Sequence, residues 1–284
     1  MSLDTSGIMY QSMMVKKDQK VNYVRHGEGE PVILVHGLAA SLHDWDDLLP
    51  ELSASGYASY ALDLLGHGES AKPASIHDYT VESAFSHFSD WIDSLHIQQP
   101  MTLIGHSLGG GMSLLYTLRY PERVKALVLI NPFYDLTQLP PILQKVFHHQ
   151  LLNTNLIDRT PYRIFRFIVD MTSFSTYVGQ REAHSLPEHI RYQTALDYKR
   201  ASSGIYNIPR TLPTLNFDLS RITQPTLLLW GGRDQTLSPN SFPKLAKMLP
   251  NVKGTHTFPV CGHVPHQCHP GDFNPHVMKF LQSL

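Results

Sequence analysis

The chain has 284 residues, of which 42% are hydrophobic and 17% are charged, and its formal net charge is −1. This composition is typical of a globular protein with a large core, and the chain has no Lys- or Arg-rich run of the kind that binds nucleic acid. No apolar run approaches the roughly 20 residues of a membrane span, and the opening MSLDTSGIMYQSMM lacks the regions of a secretion signal. We therefore expect a cytoplasmic protein.

Seven short apolar or β-branched runs predict β-strands. In chain order they are VNYVRHG, PVILVHG, YASYALDL, PMTLIGH, VKALVLIN, PTLLLWGG and GTHTFPV. Several are apolar throughout, which is typical of strands covered on both faces. Helical patterns separate them, and the clearest apolar stripe consists of Ala84, Phe85, Phe88, Trp91, Ile92 and Leu95. Strands that alternate with helices predict an α/β fold with a mostly parallel, doubly wound sheet.

The alternation stops after Asn131. Residues 133–220 carry the helical patterns LPPILQKVFHHQLL, PYRIFRFIVDM and PEHIRYQTALDYK but no convincing strand. Pro209, Pro213 and Pro225 mark the return to the sheet. We therefore expect an α/β core formed by residues 1–132 and 221–284, with residues 133–220 as a helical insertion.

The stretch LIGHSLGGG places Ser107 between Gly105 and Gly109, after a predicted strand and before a predicted helix. A G-x-S-x-G turn in that context holds the serine in a strained conformation, with its hydroxyl exposed at the carboxyl end of the strand. The flanking glycines are needed because side chains there would collide with neighbouring backbone. The alternative is a glycine-rich turn that only starts a helix, so the decision depends on the rest of the chain.

A serine hydroxyl becomes a nucleophile only when a base takes its proton, and an acid must orient that base. In sheets of this type the order along the chain is Ser, then Asp or Glu, then His. Asp234 follows the strand PTLLLW and His263 follows the next strand, so both belong to the sheet edge where ligands bind. Asp135, which follows the preceding strand, is the alternative acid.

Attack on a carbonyl also requires two fixed N–H donors for the oxyanion. The backbone N–H of Leu108, at the start of the helix, is one candidate, and that of Leu38, after His36 and Gly37, is the other. Together these residues predict hydrolysis of an ester-like carbonyl through an acyl-enzyme intermediate, with no cofactor.

The motifs HG at 36–37, DLLGHGES at 63–70, GHSLGG at 105–110, GGRD at 231–234 and GH at 262–263 resemble those of the α/β-hydrolase family. The resemblance covers both flanks of the chain and implies an eight-stranded sheet, with the helical block as the variable cap of that family. It is similar to the serine esterase and lipase branch. By its point of insertion, the cap is expected to lie over Ser107, with Phe165 and Phe167 as candidates for lining the pocket.

Differences between these motifs and those of related enzymes restrict the reactions that this chain is expected to catalyse. The haloalkane dehalogenases and epoxide hydrolases that resemble this chain carry aspartate as nucleophile where Ser107 stands, and the dehalogenases have a halide-binding Trp at the position of Leu108. Hydrolases that cleave carbon–carbon bonds of ring-fission diketones also use Ser, Asp and His but often have Asn at the position of His106. Such a hydrolase and a non-catalytic small-molecule receptor on the same fold are the two alternatives to an esterase.

The run CGHVPHQCH contains several side chains that could bind zinc. They are Cys261, His263, His266, Cys268 and His269. Their spacing matches no standard zinc motif, and His263 already has a role as the base, so we expect no metal site. The two cysteines are too few for a disulfide framework but close enough for one local bridge, and relatives often have Glu near the position of Cys268.

Overall fold

The computed structural model describes residues 2–3, 8–16, 19–149, 155–173, 186–214 and 218–284. Among them, nine strands form one sheet in the order β1-β2-β3-β5-β4-β6-β7-β8-β9. The strands are β1 (Ser2–Leu3), β2 (Met9–Val15), β3 (Gln19–His26), β4 (Glu30–Val35), β5 (Tyr57–Leu62), β6 (Met101–His106), β7 (Val124–Ile130), β8 (Thr226–Gly231) and β9 (Val252–Phe258).

From β5 to β9 across the sheet all neighbouring strands are parallel, whereas β1, β2 and β3 add an antiparallel end. The predicted mostly parallel sheet is therefore confirmed, with the two-residue β1 added to eight longer strands. The sequence pattern does not predict β1 or β2, because MYQSMMV in β2 lacks an apolar run and buries only its last residue.

Ten α-helices accompany these strands in the described part of the chain. They are α1 (Leu49–Ala54), α2 (Val81–Ser94), α3 (Leu108–Arg119), α4 (Pro141–His148), α5 (Asn155–Arg159), α6 (Tyr162–Ser173), α7 (Glu188–Arg200), α8 (Ser241–Met248), α9 (Pro265–Cys268) and α10 (Pro270–Leu281). None of the helices described is long and apolar enough to cross a membrane.

The helices cover both faces of the sheet. Alternate residues of the central strands enter two separate apolar clusters, one with residues of α2, α3 and α8 and the other with residues of α1 and α10. In α2 the predicted stripe is buried from Ala84 to Ile92, and Thr80 caps the helix by accepting a hydrogen bond from the N–H of Ser83. This arrangement confirms the doubly wound sheet.

Helices α4 to α7 lie between β7 and β8 in the chain, followed by the 3₁₀ segments Ser203–Asn207 and Pro209–Thr214. The described residues of the block 133–220 are thus helical and form no strand. Residues 150–154, 174–185 and 215–217, which belong to the predicted insertion, lie outside the described residues. The division into core and cap stays a prediction.

Candidate active site

Ser107 occupies the turn between β6 and α3. Its φ of 50° and ψ of −115° lie in a region that L-residues rarely adopt, and only 7% of the residue is exposed. A Cβ on Gly105 would lie 2.5 Å from the carbonyl oxygen of Gly109, and a Cβ on Gly109 would lie 2.0 Å from that of Val35. Glycine is therefore required on both sides of the serine, as the motif predicts.

The turn brings Ser107 to His263, which follows β9, and His263 to Asp234, which follows β8. Nδ1 of His263 is 2.8 Å from Oδ2 of Asp234, and Nε2 is 2.9 Å from Oγ of Ser107. Because a carboxylate can only accept, Nδ1 carries the proton and Nε2 accepts from the serine hydroxyl. The structure thus joins the three predicted residues in one hydrogen-bonded chain.

The carboxylate of Asp234 is held by several donors. Oδ1 accepts hydrogen bonds from the N–H groups of Thr236 and Leu237, and Oδ2 accepts a further one from Nδ2 of Asn131, 2.6 Å away. Burial opposes ionisation, but the attraction of His263 and these hydrogen bonds outweigh it, so that the pKa of Asp234 lies below its ordinary value. Asp234 is therefore an anion at neutral pH.

Asn131 was not among the predicted site residues. It follows β7 with a φ of 41°, and its side chain bridges Asp234 and the N–H of Gly231. Asn is one of the few residues that tolerates positive φ, but a single Asn before a proline gives no pattern in the sequence that marks this role.

The alternative acid, Asp135, lies elsewhere. Its side chain accepts from the N–H of Thr137 at 2.7 Å and caps the 3₁₀ turn Leu136–Gln138, in which Gln138 completes a capping box. The structure therefore brings Asp234 and not Asp135 to His263.

The two predicted oxyanion donors are at neighbouring strand ends. Leu108 is the first residue of α3, so its N–H has no partner inside the helix. Leu38 follows β4 and lines the same cavity as Ser107. A Cβ on the intervening Gly37 would come within 3.1 Å of Cβ of Ser107, which shows how closely the loop approaches the serine.

Two buried histidines hold the loop that carries Leu38. Nε2 of His36 accepts from the N–H of Leu64, and Nε2 of His67 accepts from the N–H of Ala39 at 3.1 Å. Burial, and then the neighbouring His36, lower the pKa of His67 well below its ordinary value, so it remains a neutral acceptor. His67 comes from the DLLGHGES motif, which the sequence identifies without assigning it this contact.

A small cavity of about 60 Å³ opens at Ser107. It is lined by Leu38, Ala40, Asp44, His106, Ser107, Thr194, Asp197, Tyr198, His263, Val264 and Gln267. Thr194, Asp197 and Tyr198 belong to α7, so the helical block supplies one wall. Burial is the main cause that raises the pKa of Asp197 to about 7, and the nearby Asp44 adds to it. The wall is more polar than the sequence suggests.

Phe165 and Phe167 were the wrong candidates for this wall. Phe165 is buried inside the helical block with Val169 and Ala195, and Phe167 is 64% exposed. Neither is among the described residues that line the cavity.

The cysteines and histidines of the run CGHVPHQCH do not form a single cluster. Cys261 and Cys268 are not joined by a disulfide, so the local bridge does not form. In the part of the chain described, the one group with the spacing of metal ligands combines His266 of this run with Asp44 and His106.

Comparison with known proteins identifies the family of this chain. The model of the alpha/beta hydrolase fold family matches residues 30–270. Cis-3-alkyl-4-alkyloxetan-2-one decarboxylase of Shewanella oneidensis is 28% identical, with 92% of this chain and 85% of that protein covered. 2-Hydroxy-6-oxo-2,4-heptadienoate hydrolase of Pseudomonas putida is 27% identical over 84% and 83% of the two chains.

Among solved structures, an esterase from Exiguobacterium antarcticum superimposes with a TM-score of 0.79, at 19% identity and with 96% of this chain and all of that chain covered. At this identity the likeness concerns the fold alone. With a family match over most of its length, a sheet of the corresponding topology and a serine at the strand-to-helix turn, this chain belongs to the α/β-hydrolase fold family.

Proposed function

We propose that this hydrolase is a serine esterase that cleaves a small ester-like substrate through an acyl-enzyme intermediate. The observation that carries the proposal is the continuous hydrogen-bonded chain from Asp234 through His263 to Ser107, with 2.8 and 2.9 Å between the joined atoms. A serine in a strained turn beside an oriented imidazole is the arrangement by which proteins activate a hydroxyl.

In the proposed mechanism, Nε2 of His263 takes the proton of Ser107 as Oγ attacks the substrate carbonyl. The ionised Asp234 keeps the proton of the imidazole on Nδ1 and stabilises the imidazolium that forms. That imidazolium then protonates the leaving oxygen. Water, deprotonated by the same histidine, attacks the acyl-enzyme and releases the acid.

The N–H groups of Leu38 and Leu108 are the proposed donors to the oxyanion. Leu108 supports this role by its position at the start of α3, where the N–H points away from the helix and the helix dipole favours negative charge. Leu38 supports it by its place in a loop that His36 and His67 fix. Fixed donors stabilise the transition state without reorganisation during the reaction.

Residues 133–220 are the proposed cap, which supplies the substrate wall through α7. The cavity at Ser107 is small, about 60 Å³, and lies below the range typical of small-molecule sites. This size favours short acyl groups, and the polar side chains of Thr194 and Asp197 favour a substrate with a polar group beyond the carbonyl.

Ser107→Ala tests the nucleophile. The expected result is loss of ester hydrolysis across chromogenic esters of graded acyl length, together with loss of covalent labelling by a serine-directed phosphonate. Ser113→Ala is the matched control, because Ser113 is buried in α3 and its hydroxyl bonds only the carbonyl of Gly109 among the described residues. Labelling of the Ser107→Ala protein at the wild-type rate would contradict the proposal.

A carbon–carbon bond hydrolase is the second candidate, favoured by relatives such as the heptadienoate hydrolase of Pseudomonas putida. The same serine and histidine would serve both reactions, so the mutations do not separate them. The substrate does: faster turnover of ring-fission diketones than of any ester would favour this candidate. Tight binding of a small molecule with no turnover above the Ser107→Ala background would indicate a receptor instead.

A further inference from the structure

Three buried side chains meet at the edge of the cavity at Ser107. Asp44 is in the 3₁₀ turn Leu42–Trp45, His106 ends β6, and His266 is in α9. Oδ2 of Asp44 lies 3.6 Å from Nδ1 of His106 and 3.8 Å from Nε2 of His266. Their side chains are 3–6% exposed, so water contributes little to their environment.

Four polar atoms of these three side chains have no hydrogen-bond partner among the described residues. They are Oδ2 of Asp44, Nδ1 of His106 and both ring nitrogens of His266. A buried carboxylate oxygen or imidazole nitrogen without a partner is costly, and native proteins rarely leave several together. We therefore expect a further group at the centre of the cluster that satisfies these atoms.

Neighbouring contacts show what kind of group this is. Nε2 of His106 is 2.9 Å from the carbonyl oxygen of His263, and since a carbonyl can only accept, Nε2 carries a proton. In the neutral imidazole, Nδ1 is then a lone pair that faces the carboxylate of Asp44. A positive charge between these two acceptors would stabilise their arrangement.

We propose that Asp44, His106 and His266 bind one divalent transition-metal ion of the Zn²⁺ type. Two imidazoles and one carboxylate are ligands that such ions accept. With metal–ligand bonds of about 2.0–2.1 Å, tetrahedral ligand atoms are about 3.3 Å apart. The two separations from Asp44, 3.6 and 3.8 Å, close with shifts of a few tenths of an ångström. All three ligand atoms lie within 4.8 Å of one another, so the two imidazoles must approach each other by at most about 1.5 Å to bind the same ion.

Outer contacts orient the ligands as they do in metal sites. The second oxygen of Asp44 accepts a hydrogen bond from Nε2 of Gln267 at 2.9 Å. His106 donates its ring proton, on Nε2, to the backbone carbonyl of His263. The ring of His266 stacks on Trp45, with 5.2 Å between the ring centroids and 26° between the planes.

The site would hold the ion with three protein ligands. Asp44 and His106 also line the cavity at Ser107, so the proposed metal site adjoins that cavity. The proposed hydrolysis uses Ser107, His263 and Asp234 and needs no ion. Metal binding is therefore a separate property of the protein.

Binding is tested on untagged full-length protein, stripped with a chelator, incubated with Zn²⁺ and desalted, with metal measured by mass spectrometry. The near-isosteric Asp44→Asn and His266→Gln are expected to lose one Zn²⁺ per chain relative to wild type. Asp46→Asn and His269→Gln are the matched controls, because both residues are at the surface, and they should retain it. Circular dichroism verifies that every variant is folded.

Two further measurements complete the test. Co²⁺ in place of Zn²⁺ should give a visible absorption band that Asp44→Asn abolishes, and Gln267→Ala should weaken Zn²⁺ binding by roughly 10–100-fold as an outer-contact change. Ser107→Ala should bind the ion like wild type, which separates this site from the proposed hydrolysis. Equal Zn²⁺ content in wild type and Asp44→Asn would overturn the proposal and leave the cluster as a proton-sharing group.

Discussion

Asp234→Asn is the substitution that best tests how the three site residues act together. In the native protein, Oδ1 accepts from two backbone N–H groups, and Oδ2 accepts from Asn131 and His263. An asparagine has one acceptor oxygen and one NH₂ group. The backbone N–H groups cannot change their character, so we expect the oxygen to face them and the NH₂ to face His263.

His263 can meet that NH₂ only by accepting at Nδ1, which moves its proton to Nε2. Nε2 then faces Oγ of Ser107 as a donor and cannot take the serine proton. The wrong tautomer costs other triads a factor on the order of 10⁴ in kcat, or about 5.4 kcal/mol at about 1.36 kcal/mol per tenfold. We expect the same order of loss here, with little change in KM.

The assay is steady-state hydrolysis of the best chromogenic ester, at a temperature where each variant is folded. The amide at 234 also faces Nδ2 of Asn131, so a loss of about 1–3 kcal/mol in the free energy of unfolding accompanies the change. Asp135→Asn is the matched control, because asparagine caps a turn as well as aspartate does, and it should stay within twofold of wild type. A loss below tenfold in Asp234→Asn would refute the tautomer reasoning.

Three further predictions concern packing and pH. Gly109→Ala places a Cβ 2.0 Å from a backbone oxygen of β4 and should cost about 3 kcal/mol or more of unfolding free energy in urea titrations. Gly271→Ala is the control, because its Cβ would meet no atom within 4 Å outside its own helix and chain neighbours, and it should not lower the unfolding free energy. Phe165→Ala should lower the free energy of unfolding by about 3 kcal/mol, and the exposed Phe167→Ala should lower it by less than about 0.5 kcal/mol. Neither variant should change the preference for acyl length, and a change in either one would contradict the cavity described. Burial raises the pKa of Asp197 to about 7, so its stabilising contribution is complete below its unfolded pKa and is lost as pH rises through 7. In thermal scans without added metal, the Tm of Asp197→Asn should therefore rise relative to that of wild type between pH 5 and pH 8. A Tm difference that does not change with pH would contradict this.

The fold could be predicted because its signals are local. Each apolar run is a strand, and the parallel sheet follows from the alternation with helices. Ser107, Asp234 and His263 come together because each follows a strand and the carboxyl ends of parallel strands share one edge.

Other features depend on contacts that no local pattern encodes. Asn131 supports Asp234 across a sequence separation of 103 residues, and Asp44 meets His266 only in the folded chain. Phe165 and Phe167 illustrate a second limit, since apolar character predicts burial but not the surface against which a side chain packs. The cavity wall instead uses polar residues of α7.

The hydrogen-bonded chain of the site joins Ser107 to His263 across 156 residues, and this separation has a consequence for how the protein matures. Synthesis proceeds from the N-terminus, so the turn at Ser107 leaves the ribosome long before the histidine that must activate it. Pairing of segments far apart in sequence is the slow part of folding, and β8 and β9 must join the sheet before Asp234 and His263 reach their places. During refolding, recovery of phosphonate labelling should therefore lag behind recovery of helical circular dichroism and report the docking of the last two strands.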